Sequence, residues 1–205
     1  MSLQDLYAGA VEDANNGQYQ EAIRKFELIL THEMGADDKA NVCALLGVVH
    51  LMVGNNEQGV RTLEEALVVT PNNAVGWSNL SEGLRKLGRL DEAVEVSHKA
   101  ITLMPDDAVA YNNMGIALQE QGKLDDAIAS WRKALMLKPD YAEAYNNMGI
   151  TLQDLGELDD AIASFRKAVS LKPDFAEAHN NLGSALQNLG ELDDAIASFR
   201  KALSL

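Results

Sequence analysis

The four prolines of the 205-residue chain, Pro71, Pro105, Pro139 and Pro173, stand 34 residues apart. Gly54, Gly88, Gly122, Gly156 and Gly190 keep the same interval, as do Ala100, Ala134, Ala168 and Ala202. A fixed period of this length marks a repeat array, in which each unit packs mainly on its neighbours. One elongated domain with a core along its length is therefore expected, in place of one or two globular bodies.

With each proline at position 32, the units run 40–73, 74–107, 108–141 and 142–175, followed by an incomplete 176–205. Gly17, Ala22 and Phe26 fit one more unit, 3–39, with three extra residues somewhere between His32 and Asp38. That makes about six units within 3–205, with an irregular linker after the first.

Each unit reads as two helices. Tyr145, Met148, Gly149 and Leu152 recur at helical spacing and form one stripe. Gly156 follows as a left-handed helix end. Asp159 is the expected N-cap of a second helix carrying Ala161, Ile162, Phe165, Ala168 and Val169 on one face. Pro173 stops it, and Asp174 with Glu177 is expected to cap the next first helix, as Asp140 with Glu143 does one unit earlier. Gly149 and Ala161 are expected where the two helices approach closely.

These positions resemble the tetratricopeptide repeat. Trp77, Leu80 and Leu84, then Ala93, Ala100 and Pro105, fit one unit; Tyr111, Met114, Gly115 and Leu118, then Ala127, Trp131, Ala134 and Pro139, fit the next. Ser81, Gly59 and Ser97 depart from the pattern at the first-helix glycine, the second-helix alanine and the aromatic. The resemblance implies an all-α fold, a right-handed α-solenoid whose first helices line a concave groove. It further implies a protein-binding scaffold, not an enzyme.

Composition narrows the partner. A net charge of −14 argues against nucleic acid, which needs clustered Lys and Arg, and against anionic membranes. A neutral to basic, extended protein or peptide fits better. No apolar run is long enough to span a bilayer, and the first residues show no signal peptide, so a cytoplasmic protein is expected. The single Cys43 reads as a buried thiol. No phosphate loop, nucleophile elbow or zinc motif appears, so no catalytic residue, cofactor or metal is expected. Asp125-Asp126, Asp159-Asp160 and Asp193-Asp194 make poor chelates, because neighbours on a helix diverge by about 100°.

In the family, functional side chains lie on the groove face of the first helix. One column there holds Asn79, Asn113, Asn147 and Asn181, and a second holds Asn112, Asn146 and Asn180. An amide both donates and accepts, so it can pair with peptide backbone of any sequence. Similar ladders line the superhelix of O-linked N-acetylglucosamine transferase, whose units resemble Ala142–Lys172. The plainer reading is that these amides bond to neighbouring units. A chaperone-tail clamp would need Lys or Arg where Asn112, Asn146, Asn180, Ile116, Ile150 and Ser184 stand. Glu120, Glu143, Asp154 and Glu177 are expected to make the face acidic instead.

Two further expectations concern the end of the chain. Units 142–171 and 176–205 match at 24 of 30 positions, and the last lacks its proline, so the array could continue as the recognition arm of a larger enzyme such as a glycosyltransferase. Alternatively, the uncapped face around Ile196, Phe199, Leu203 and Leu205 drives weak homo-oligomerisation.

Overall fold

The computed structural model describes residues 2–205. Among them are twelve helices and no strand. They are α1 (Leu3–Asn15), α2 (Tyr19–Leu30), α3 (Ala36–Met52), α4 (Asn56–Val69), α5 (Ala74–Lys86) and α6 (Leu90–Leu103). Then follow α7 (Ala108–Glu120), α8 (Leu124–Leu137), α9 (Ala142–Asp154), α10 (Leu158–Leu171), α11 (Ala176–Leu189) and α12 (Leu192–Leu203). The fold is the expected all-α helical repeat solenoid. Its contacts divide into two compact units, Met1–Pro105 and Asp106–Leu205.

In each unit, every helix packs on the next, and first helices also touch across a repeat, as α3 with α5 and α9 with α11. The turn within a repeat is fixed by its glycine. Gly156 has φ 80°, a conformation that an L side chain resists. It donates to Gln153 O at 2.9 Å while Glu157 donates to Leu152 O at 2.9 Å. Together these close a Schellman motif and satisfy two carbonyls at the end of α9.

The second helices do not start as the sequence suggests. The N-cap of α10 is Glu157, so Asp159 already lies in the first turn, where its charge suits the positive helix end. Nor do Asp140 and Asp174 cap α9 and α11. The capping residues are Tyr141 and Phe175, which make no side-chain cap bond. Earlier in the chain the same repeat position holds Asn73 and Asp107, and these do cap: Asn73 Oδ1 accepts from Gly76 N at 2.9 Å, and Asp107 Oδ1 from Val109 N at 2.8 Å. An aromatic at that position leaves the acidic residue one step too early. The aromatic rings instead receive cations, Lys138 Nζ lying 4.6 Å from the Tyr141 ring centre and Lys172 Nζ 4.9 Å from that of Phe175.

The irregular stretch after the first repeat also differs from expectation. Only Thr31–Gly35 is non-helical; most of the inserted length becomes an extra turn at the start of α3, which has 17 residues against 13 in α5, α7 and α9. The expected boundary at 39/40 therefore falls inside a helix.

In the last three repeats the first-helix glycine makes room for a ring, whereas Gly47 makes room for Leu63 and the backbone oxygen of Gly59. A methyl on Gly149 would lie 2.7 Å from Phe165, and methyls on Gly115 and Gly183 would lie 2.7 Å from Trp131 and Phe199. Phe165 and Trp131 are fully buried there. Where serine replaces glycine, serine also replaces the ring. Ser81 and Ser97 lie 2.6 Å apart, oxygen to oxygen, and both hydroxyls lie within 2.9 Å of the carbonyl oxygen of Ala93.

Candidate functional site

The asparagine pairs sit in the middle of the first helices: Asn112-Asn113 on α7, Asn146-Asn147 on α9 and Asn180-Asn181 on α11. All lie in the unit Asp106–Leu205; Asn79, on α5, lies in the other. The two columns have different surroundings. Asn112 and Asn146 are 6% and 1% exposed, Asn180 is exposed, and Asn79, Asn113, Asn147 and Asn181 are half-buried. Burial therefore takes Asn112 and Asn146 out of the groove lining that the sequence assigned to them.

The columns are wired to each other. Asn147 Nδ2 donates to Asn112 Oδ1 at 3.2 Å, and Asn181 Nδ2 donates to Asn146 Oδ1 at 3.0 Å. Asn112 Oδ1 also accepts from the buried Trp131 Nε1 at 3.2 Å, so both of its lone pairs are used. Asn146 turns its amide N–H toward Glu177 Oε1 at 3.4 Å. A further contact across repeats, Gln153 Nε2 to Ser184 Oγ at 3.3 Å, was not expected. Its only signal in the sequence is the glutamine column Gln119, Gln153 and Gln187.

The acidic side chains on this face are partly engaged. Glu143 meets Lys172 Nζ at 3.1 Å. Burial raises its carboxyl, but a bond from its own backbone N–H and the nearby Lys172 and Lys138 hold it below the usual carboxylate range. Glu177 serves Asn146, and Asp154 is exposed. Cys43 is buried, and that burial, with Glu65 adding to it against Lys39, pushes its thiol up and away from nucleophilic use. Among the described residues no group of three or more His, Cys, Asp or Glu could hold a metal ion, and no helix is long and apolar enough to cross a membrane.

The profile described as TPR repeat matches residues 84–122, 119–156 and 152–190, and that described as Tetratricopeptide repeat matches 176–205. The chain is a tetratricopeptide repeat protein. Such proteins are protein-interaction scaffolds. The Photosystem I assembly protein Ycf3 of Synechococcus sp. (strain CC9605) is 26% identical over 86 residues, 42% of this chain and 50% of that protein. The chain thus spans about half the length of the curated relative it matches. MamA (41-end) from Desulfovibrio magneticus RS-1 is 25% identical with a TM-score of 0.70, covering 84% of this chain and 97% of that one. TTC0263, a thermophilic TPR protein in Thermus thermophilus, shares the fold at 24% identity and a TM-score of 0.75, over 91% and 100% of the two chains.

Proposed function

We propose that this tetratricopeptide repeat protein is a non-catalytic scaffold that holds an extended, neutral to basic peptide segment through the column Asn113, Asn147 and Asn181 of the unit Asp106–Leu205. The observation that carries this reading is the tether on Asn147 and Asn181. One amide hydrogen of each is spent on the asparagine of the preceding repeat. The rotor is thereby fixed, and each half-buried amide keeps a carbonyl oxygen and a second N–H in a set orientation. A donor and acceptor held in place lose little freedom on binding, which is what recognition of peptide backbone requires. The net charge of −14 supports basic or neutral partners over acidic ones. In the same reading the apolar outer face of α12 supports a weak contact with a second copy.

The test uses a peptide selected from a random library against the whole chain and measured by calorimetry. Asn147→Ala should weaken it about threefold to tenfold, the worth of one net hydrogen bond of about 0.5–1.5 kcal/mol. Thermal stability should change little, because Asn112 Oδ1 keeps its bond from Trp131. Unchanged affinity together with a large loss of stability would show that the column only holds the repeats together.

A further inference from the structure

We propose that the cavity between α1 and the start of α3 is a subsite for one lysine or arginine side chain of a bound peptide. This open cavity of about 360 Å³ lies wholly within the unit Met1–Pro105. Its apolar wall is formed by Leu3 and Tyr7 from α1, Ile29 from α2, Met34 from the linker and Val42 from α3. Its polar edge is Asp38 and Asn41 on α3, with Gln4 on α1.

The cavity arises where the repeat is broken. Counted forward from Gly17, as each later proline follows its glycine, Met34 stands at the proline position, and the inserted residues extend α3 by a turn. That turn brings Asp38 to the rim as part of a helix, whereas the residues at later periods, Asn72, Asp106, Asp140 and Asp174, lie outside the helices. By the same count Tyr7 occupies the position of Asn112, Asn146 and Asn180, and Gln4 and Asn41 that of Glu143 and Glu177. The subsite thus uses repeat positions that later hold Asn112, Asn146 and Asn180, or Glu143 and Glu177, but carries different chemistry.

That chemistry selects an amphipathic cation. Tyr7 is 38% exposed, and its ring is steadied by an edge contact with Phe26, with centres 6.3 Å apart. A ring face, an apolar wall and an exposed carboxylate suit a side chain with a hydrocarbon stem and a charged head. A purely apolar side chain would leave Asp38 and Asn41 unused. An acidic one would meet Asp38, with Asp37 beside it in the first turn of α3, in a chain already at −14.

The inference rests on the peptide-binding reading only in that its ligand is a peptide side chain; it does not depend on the asparagine column. The test titrates the isotope-labelled full chain with N-acetyl-arginine methylamide and with the norleucine and glutamate analogues, read by nuclear magnetic resonance. The arginine probe should shift signals of Tyr7, Met34, Asn41 and Val42, and the norleucine probe should bind about fivefold more weakly. Asp38→Asn, an exposed change that leaves the melting temperature in place, should bring the arginine probe down to the norleucine level. Asn147→Ala should leave all three titrations unaltered, which separates this subsite from the column. Equal binding of arginine and norleucine probes, tighter binding of norleucine, or no shifts at these residues would each overturn the proposal.

Discussion

Asn112 shows how one buried amide holds a repeat together. Its oxygen accepts from Trp131 Nε1 in its own repeat and from Asn147 Nδ2 in the next. Asn112→Ala would leave the fully buried indole N–H without a partner, at a cost of about 1–3 kcal/mol. Trp131→Phe removes the need for that partner, so the double variant should lose clearly less than the sum of the two single changes. Chemical denaturation of the four proteins checks this, and strict additivity would mean that the two side chains do not depend on each other. His50 sets a second residue-scale expectation. It is buried on α3, with no partner on Nδ1 among the described residues. Burial lowers its pKa from the ordinary 6.5, against a smaller opposing pull from Glu27. The unfolded chain then takes up the proton more readily than the folded one. Stability should therefore be complete above the unfolded pKa, fall as pH drops through it, and level off once the folded imidazole is also protonated. Thermal melts between about pH 8 and pH 5 should show this slope, and His50→Gln should flatten it. An identical slope in the variant would assign the acid sensitivity to other groups.

At the scale of helices, pairing and turns are legible in the sequence because their causes are local. Apolar spacing sets the stripe on α9, and Gly156 supplies the one backbone conformation that the turn needs. The helix starts are less legible. Asp140 and Asp174 look like caps in sequence, but the capping position is the next residue, held by Tyr141 and Phe175. The inserted stretch is also misleading, since nothing between Ala36 and Lys39 resists helix, and the extra length joins α3. The partner of the first-helix glycine is not legible at all, because a ring 16 residues away fills that space. This gives an element-scale expectation. Ser97→Phe alone should overpack α5 against α6 by about 1–3 kcal/mol, since Ser81 occupies the seat that a ring would need. Ser81→Gly added to it should recover most of the loss by restoring the arrangement of Gly149 with Phe165. Denaturation midpoints decide it; if the double variant is no better than Ser97→Phe, the glycine is not what admits the ring.

For the whole chain, the repeat period is readable from punctuation residues alone, whereas the candidate site is readable only as columns. Sequence can align Asn112 with Asn146 and Asn180, but not show that the first two are buried while the third is exposed. That difference comes from neighbours: Asn112 and Asn146 are covered by the repeat that follows, and Asn180 has none among the described residues. The same cause leaves Leu192, Ile196 and Leu205 of the last repeat about half exposed and Leu203 89% exposed, whereas the matching Ile162 of α10 is buried in the core with Leu182 and Leu186. An apolar face of this kind gains about 25 cal/mol for each Å² that a partner covers, before the cost of association. The first helix cannot be that partner in a second copy. Positions that hold Ala178, Leu182 and Ala185 on α11 hold Asp5, Gly9 and Glu12 on α1, so head-to-tail stacking would set carboxylates against leucine and isoleucine. The apolar face should instead meet its own copy about a two-fold axis, giving a closed dimer with no tendency to form fibres. Sedimentation of residues 1–205 over rising concentration should show monomer passing to dimer and no further. Ile196→Glu with Leu203→Glu, both on the exposed side of α12, should abolish the dimer without lowering the melting temperature. A strict monomer at high concentration would refute the contact, and growth beyond dimer would mean that the polar face of α1 does not block stacking.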